Sequence, residues 1–116
     1  MKQNIFITGS TGYIGSRLIK ALLTENDYYI KALVRKGSEN KISQGCEIVF
    51  GNALDAATYK DKIDRGCIFI HLIGVSHPSP RKKEAFKQID LVSIQQAVKA
   101  SVSAGVQHFI DRKSVV

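Results

Sequence analysis

The chain has 116 residues, 44% of them hydrophobic, and this length predicts a single domain over residues 1–116 with one core. Its formal net charge is +7, from seventeen Lys and Arg against ten Asp and Glu. The basic residues are scattered and form no recognisable nucleic-acid-binding module, so we expect a solvated basic surface and no nucleic-acid partner.

Membrane insertion and metal binding are not indicated. The longest apolar run, residues 67–75, is about half of the roughly 20 residues that a membrane helix needs. The N-terminus lacks the apolar length of a signal peptide, so we expect a cytoplasmic protein without membrane contact. Cys46 and Cys67 are too few for a disulfide framework or a metal site, and we expect both to be reduced core residues.

Short apolar runs alternate with amphipathic segments along the chain. Strands are predicted at residues 4–8, 28–34, 46–50, 67–75 and 106–110, and helices at 12–24, 55–63 and 81–104. Asp55 is a plausible cap for the short helix, and Gly105 ends the long one. This alternation predicts an α/β protein with a parallel sheet.

The long helix has two apolar stripes. One contains Phe86, Ile89, Ser93, Ala97, Ala100 and Ala104, and the other contains Leu91, Ile94, Val98 and Val102. One stripe can cover the sheet, and an exposed second stripe is typical of a contact surface. We expect a homodimer through this helix, the alternative being that a later chain segment covers the stripe.

Three of the nine glycines, at positions 9, 12 and 15, lie within "FITGSTGYIGSRL". The segment joins the first strand to the first helix. Glycines at such a junction allow a tight turn, close approach of the backbone to a pyrophosphate, and close packing of helix and strand. The free amides of the first helical turn favour an anion there. The junction therefore predicts a phosphate cradle rather than a purely structural turn.

The segment "ITGSTGYIGSRL" resembles the extended and atypical short-chain dehydrogenase/reductases, which include nucleotide-sugar epimerases and NmrA-like regulators. The segments "KALVR", "GNALD", "FIHLIGVSHPSP" and "FKQIDLVSIQQAVKASVSAGVQHFI" are similar to later parts of the same family, so the likeness covers residues 3 to about 110. The resemblance implies a Rossmann-like three-layer αβα fold, with about five parallel strands in the order 3-2-1-4-5, and a bound NAD(P).

The resemblance also implies which residues contact the dinucleotide. They are Gly9, Ser10, Thr11, Gly12, Tyr13, Ile14 and Gly15 for the pyrophosphate, Arg35 for the ribose, Asn52 and Ala53 for adenine, and Leu72, Ile73 and Gly74 for the nicotinamide side. Where NAD-dependent members carry an acidic residue after the second strand, this chain has Arg35, which suits a 2′-phosphate. NADP is therefore favoured over NAD, and a solvated basic turn is the alternative.

Two histidines fall near the expected site. His71 lies inside an apolar strand, and we expect a buried histidine whose hydrogen bonds are satisfied rather than a ligand. His77 lies in the following loop above the switch point of the sheet, where contact with a cofactor or substrate is the less favoured interpretation.

The family's Tyr-x-x-x-Lys catalytic pair is absent. The residues four positions after the tyrosines Tyr13, Tyr28, Tyr29 and Tyr59 are Arg17, Ala32, Leu33 and Ile63. We therefore predict no catalytic residue in this chain and leave open whether it is an enzyme. Four functions remain: a dinucleotide-binding module of oxidoreductase ancestry that lacks catalysis or needs a partner, an NADP-dependent reductase or epimerase completed by assembly, a cofactor-sensing regulator without catalysis, and a remnant of a reductase or epimerase.

The C-terminal "HFIDRKSVV" places charges where the family continues a buried strand. This departure predicts truncation after the fifth strand, or a fifth strand exposed at the edge of the sheet. An open edge can pair with another chain, which is a second possible route to a homodimer.

Overall fold

The computed structural model describes residues 2–73 and 83–111. The strands are β1 (Gln3–Thr8), β2 (Tyr28–Val34), β3 (Glu47–Phe50), β4 (Ile68–His71) and β5 (His108–Asp111), and the helices are α1 (Tyr13–Glu25) and α2 (Lys83–Ala104). Single turns of 3₁₀ helix occupy Glu39–Lys41, Ala56–Thr58 and Lys60–Lys62.

All five strands are parallel and lie in the order β3-β2-β1-β4-β5, which confirms the predicted Rossmann-like sheet. The chain moves from β1 outward to β3, crosses back to β4 and continues to β5. Because crossover connections between parallel strands are right-handed, α1 and α2 pack on opposite faces of the sheet. The three-layer architecture follows from this change of direction.

Alternating residues of β1 supply the two halves of the core. Ile5 and Ile7 face α1, where they pack with Ile19, whereas Phe6 faces α2 and packs with Ala97 and Ala100. All six side chains are at most 4% exposed. The alanines allow α2 to approach the sheet closely, and the aromatic side chains of the strands fill the space.

A row of three stacked rings crosses the α2 face of the sheet. Phe6, Phe69 and Phe109 are register partners on β1, β4 and β5, and adjacent ring centroids are 5.2 Å apart in both pairs. Tyr59 extends the row, with its ring centroid 5.8 Å from that of Phe6. Each such pair contributes about 0.5–1.5 kcal/mol beyond the burial of its area, so this row is a main stabilising element.

Two predicted elements differ from the structure. The segment predicted as one helix over residues 55–63 forms two 3₁₀ turns, because it is too short for an independent α-helix and its bonds are local, such as Tyr59 N–H to the Ala56 carbonyl. Asp55 is nevertheless a cap, and its side chain accepts a bond from the Ala57 amide at 3.1 Å. The strand predicted over 67–75 ends at His71, whose register partner Thr8 is the last residue of β1.

The two stripes of α2 differ in exposure as predicted, with one correction. Ser93, Ala97 and Ala100 are buried, whereas Leu91, Val98 and Val102 are 49%, 44% and 76% exposed. Ile94 of the second stripe is half-buried, and the side chain of Phe86 lies outside the described part of the chain. Ile89 was predicted to lie on the covered stripe but is 37% exposed. It lies in the part of α2 near the carboxyl edge of the sheet, where less strand surface lies beneath the helix.

Gly105 ends α2 as predicted. Its φ is +73°, and the amides of Gly105 and Val106 both donate to the Ser101 carbonyl. In the part of the chain that the structure describes, neither helix has the length and hydropathy to cross a membrane.

Both cysteines are free, in agreement with the prediction. Cys67 is buried and Cys46 is partly buried. Burial raises the pKa of both thiols, so both remain protonated near neutral pH.

Tyr59 generates a prediction about stability. Its side chain is 1% exposed, its hydroxyl has no hydrogen-bond partner among the described residues, and burial with the Asp55 charge raises its pKa to about 12. We expect Tyr59→Phe to leave the free energy of unfolding unchanged or to raise it by up to about 1 kcal/mol, since the ring stays and an unsatisfied group is removed. Denaturant titration measures this, with exposed Tyr29→Phe as the control; a loss of more than about 1 kcal/mol would contradict it.

Candidate functional site

The junction between β1 and α1 brings the backbone unusually close to β4. Gly9 has φ +72°, and a Cβ built on it would lie 2.7 Å from the Leu72 carbonyl carbon and 2.9 Å from the Ile73 nitrogen. Both the left-handed conformation and the contact with β4 therefore require glycine. This contact places the start of α1 directly beside the carboxyl end of β4.

The other two glycines of the motif have different roles. A Cβ on Gly15 would meet the Gly9 carbonyl group and lie 2.9 Å from the Ser10 Cα, so Gly15 allows α1 to pack on the turn. Gly12 has φ −76°. The atom nearest to a Cβ built on it would be the Gly9 carbonyl oxygen at 3.4 Å, an ordinary van der Waals contact. The protein's own packing does not require glycine at position 12, which leaves room for something outside the chain.

The N-terminus of α1 carries an uncompensated positive end. Gly12 is the capping residue and offers no side-chain acceptor, and the first turn contains no acidic residue. The amide of Ser16 makes the first helical bond, to the Gly12 carbonyl at 2.9 Å, so the amides of Tyr13, Ile14 and Gly15 precede the helical ladder. These amides and the helix dipole favour an anion.

The Ser10 side chain fixes the turn to the neighbouring strand. Ser10 is 1% exposed, and its hydroxyl donates to the Leu33 carbonyl at 2.7 Å. Only the backbone of Ser10 therefore remains for a ligand. Tyr13 is 71% exposed, and the Arg17 guanidinium lies over its ring, 3.6 Å from the centroid.

A cavity of about 190 Å³ opens at this turn. Its lining comprises Gly9, Ser10, Thr11, Leu33, Val34, Arg35, Ser38, Gly51, Ala53 and Ile73. Six of the thirteen predicted site residues are among these, and they come from β1, β2, β3 and β4 or the loops that follow them. The carboxyl ends of parallel strands at the change of direction of the sheet are where such folds bind ligands.

Arg35 is the charged group of the cavity. It follows β2 directly, is exposed, and makes no ion pair with another residue of the described part of the chain. The turn after it closes through a bond from the Ser38 amide to the Arg35 carbonyl at 3.0 Å, which brings Ser38 into the lining. Ser38 was not predicted from the sequence, although its position three residues after Arg35 in a Gly-containing turn was a usable signal.

Asn52 and Ala53 are arranged differently from each other. Ala53 lines the cavity. The Asn52 side-chain oxygen accepts from the Leu54 amide at 2.9 Å, and the Asn52 amide donates to the Thr58 hydroxyl. The side-chain oxygen of Asn52 is therefore occupied within its own turn. Contact between the side-chain amide nitrogen of Asn52 and adenine stays a prediction.

The end of β4 supplies the remaining predicted residues. The Leu72 amide donates to the Thr8 carbonyl at 3.1 Å and continues the ladder for one residue beyond the strand, and Ile73 lines the cavity. Gly74 and His77 lie outside the described residues. His71 is 2% exposed and its Nδ1 lies 2.6 Å from the Thr8 hydroxyl, which confirms the prediction of a buried, hydrogen-bonded histidine.

The glycine geometry predicts unequal effects of three alanine substitutions. We expect Gly9→Ala and Gly15→Ala each to lower the free energy of unfolding by more than about 2 kcal/mol, since each Cβ would collide with backbone. Gly12→Ala should cost at most about 1 kcal/mol, the loss of a favourable capping residue. Thermal and denaturant unfolding of the three variants test this, and equal losses at all three positions would show that the turn is not packed in this way.

Comparison with protein families gives a match to the NmrA-like family over residues 1–112. Among curated sequences, the chain is 24% identical to UDP-glucose 4-epimerase of Vibrio cholerae, over 99% of this chain and 36% of that protein. It is 30% identical to the uncharacterized sugar epimerase YhfK of Bacillus subtilis (strain 168), over 93% of this chain and 51% of that protein. The chain thus spans between about a third and a half of these relatives.

Solved structures share the fold. A short-chain dehydrogenase/reductase superfamily protein from Agrobacterium tumefaciens, crystallised with bound NAD, superposes with a TM-score of 0.74 at 24% identity, over 97% of this chain and 33% of that one. The UDP-glucose 4-epimerase of Thermotoga maritima, crystallised with UDP-glucose, superposes with a TM-score of 0.76 at 19% identity, over 94% of this chain and 37% of that one.

Proposed function

The chain belongs to the NmrA-like family, and from this membership and the geometry of the cavity we propose that it binds a dinucleotide, NADP(H) in preference to NAD(H). The observation that carries the proposal is the unpaired Arg35 beside a glycine turn that leaves room in front of helix amides. The NAD bound by the Agrobacterium tumefaciens protein of the same fold supports a dinucleotide in general.

Each part of the ligand would meet groups of matching chemistry. The pyrophosphate would lie before Gly12, where the amides of Tyr13 and Ile14 can donate to its oxygens. The adenosine would occupy the cavity, between Leu33 and Ala53 on one side and Ile73 on the other. A volume of about 190 Å³ suits the adenosine half of the ligand rather than the whole dinucleotide.

Arg35 and Ser38 would recognise a 2′-phosphate. A guanidinium and a phosphate form charge-assisted, bidentate hydrogen bonds, and Ser38 can add a hydroxyl donor. The ribose 2′-hydroxyl of NAD is instead recognised by a carboxylate, and Glu39, the nearest acidic residue along the chain, accepts from the Gly37 amide at 3.0 Å. The charge of the pocket therefore favours NADP.

Two roles are compatible with this binding. Bound NADP(H) supplies hydride chemistry, and the family likeness suggests a short-chain oxidoreductase or epimerase in which this chain binds and orients the cofactor. The NmrA-like membership suggests a second role, a cofactor-sensing protein without catalysis of its own. A remnant that has lost both roles would not bind the cofactor at millimolar concentration.

Arg35 provides the test of cofactor preference. We expect Arg35→Glu to weaken NADPH binding by tenfold or more, about 1.4 kcal/mol, and to change NADH binding by much less, because only NADPH carries the 2′-phosphate. Calorimetric titration with both cofactors measures this. Lys36→Glu is the matched control, since it makes the same change of charge one residue away and does not line the cavity. Equal weakening of both cofactors by Arg35→Glu would refute the 2′-phosphate assignment.

We also propose that two copies of the chain associate through the exposed stripe of α2 or through the β5 edge. The stripe exposes Leu91, Val98 and Val102 on one side of the helix, and apolar stripes of this kind are typical of contact surfaces. β5 is the terminal strand of the described sheet and is paired there with β4 alone, so its outer edge is open.

A charged substitution on the stripe tests this association. We expect the purified chain to sediment as a dimer and Val102→Glu to shift it to the monomer, because a carboxylate would be buried in an apolar contact. Ser103→Glu places the same charge on a neighbouring exposed position away from the stripe and should leave the dimer intact. A monomeric parent chain at tens of micromolar would exclude the α2 and β5 contacts together.

A further inference from the structure

A polar row crosses the sheet beside the row of aromatic rings. Thr8, His71 and Asp111 are register partners on β1, β4 and β5. Each lies two residues beyond a phenylalanine of the aromatic row, so all three are on the α2 face of the sheet. A hydroxyl, an imidazole and a carboxylate therefore stand next to one another at its carboxyl edge.

The groups of this row are unequally buried. Thr8 is 0% and His71 is 2% exposed, and the Thr8 hydroxyl lies 2.6 Å from His71 Nδ1. Asp111 is exposed. From α2, Asp90 adds a second carboxylate, and its Oδ1 is buried without a hydrogen-bond partner among residues 2–73 and 83–111. A buried acceptor without a donor is rare and costly in folded proteins.

The charges around His71 oppose one another. Burial lowers the pKa of His71 from its ordinary value of 6.5, whereas the carboxylates of Asp111 on β5 and Asp90 on α2 act in the opposite direction. Thr8 on β1 carries no charge. Neutral His71 therefore contributes stability that is fully present above pH 6.5 and is lost as the pH falls toward the lower folded pKa.

We propose that Thr8, His71, Asp111 and Asp90 form a proton-operated latch between the ends of β1 and β4. In the neutral ring protonated on Nε2, Nδ1 accepts from the Thr8 hydroxyl and holds the two strand ends together. When solvent supplies a second proton, Nδ1 becomes a donor, so the bond reverses: Nδ1–H donates to the Thr8 hydroxyl oxygen, and the hydroxyl proton must turn to another acceptor. The charged ring is then attracted to the two carboxylates, and Asp90 Oδ1 can gain the partner that it lacks.

The position of the latch gives it a consequence. Thr8 and His71 immediately precede Gly9 and Leu72, whose backbones are in close contact. A change in the Thr8–His71 bond is therefore transmitted to the glycine turn over a single residue in each strand. Because the Thr8 hydroxyl is fully buried, it is out of reach of a substrate, so the row acts as a switch and not as a nucleophile.

The test is an NMR titration without nucleotide, so it does not depend on the proposed cofactor. The imidazole of His71 is identified by its contact with the Phe109 ring, whose centroid is 6.3 Å away. We expect His71 to titrate below the ordinary value of 6.5. The amide signals of Gly9 and Leu72 should move with the same midpoint, and Asp111→Asn and Asp90→Asn should each lower that midpoint further.

Two variants serve as controls. Glu25→Gln removes one negative charge at the end of α1, away from the latch, and should leave the midpoint unchanged. Thr8→Val should leave His71 titrating while the Gly9 signal no longer follows it. Unfolding curves at pH 8 verify that each variant is folded where the imidazole is neutral. The latch is refuted if the Gly9 and Leu72 amides ignore the titration of His71, or if neither carboxylate substitution moves its midpoint.

Discussion

The close contact between the ends of β1 and β4 is the constraint on which the rest of the structure depends. At Gly9 the backbone passes so near to Leu72 and Ile73 that a single methyl group would collide with it. At Gly15, α1 packs directly against the backbone of the same turn, at the Gly9 carbonyl and the Ser10 Cα. The direction of the helix is therefore set by backbone contact and not by flexible side chains. The amides of the first helical turn are thereby held in one place, next to the cavity.

The α2 face of the sheet changes character along the strands. Its centre is the stacked row of Phe6, Phe69 and Phe109, and its carboxyl edge is the polar row that includes Thr8 and His71. The aromatic row supplies cohesion that does not depend on pH, whereas the polar row contains His71, whose pKa burial lowers from 6.5, so that the ring gains charge only as the pH falls. The stabilising aromatic row and the proposed pH-sensitive polar row thus lie two residues apart along each strand, a distance of about 7 Å.

The helix amides next to the cavity and Arg35 in its lining differ in electrostatics. The helix amides carry partial charges that any chain with this fold would present. The full charge of Arg35 is instead specific to the residue at that position of this sequence. A net charge of +7 adds a long-range attraction for anionic ligands that is screened at physiological ionic strength. The fold therefore accounts for the proposed dinucleotide binding, and Arg35 with Ser38 accounts for the proposed preference for NADP.

Sequence alone determined which segments along the chain form strands and helices, that the sheet is parallel, that α2 ends at Gly105, and that the glycine turn joins β1 to α1. These features follow from local patterns: apolar periodicity, capping residues, and glycine where the backbone turns sharply. The resemblance to a known family added the order of the strands within the sheet and the expected position of Arg35 beside the ribose of the cofactor. The short helix predicted after Asp55 was wrong because a few residues of pattern cannot distinguish α-helix from 3₁₀ turns.

Only the tertiary structure decided which distant residues meet. The bond from Ser10 to the Leu33 carbonyl, the burial of Tyr59, and the row formed by Thr8, His71 and Asp111 join positions that are far apart in the chain. Such contacts depend on the register of the parallel strands. If one strand slipped by a single residue, its side chains would move to the opposite face of the sheet and the contacts would be lost. That register is fixed by packing across the whole sheet, and no local stretch of sequence encodes it.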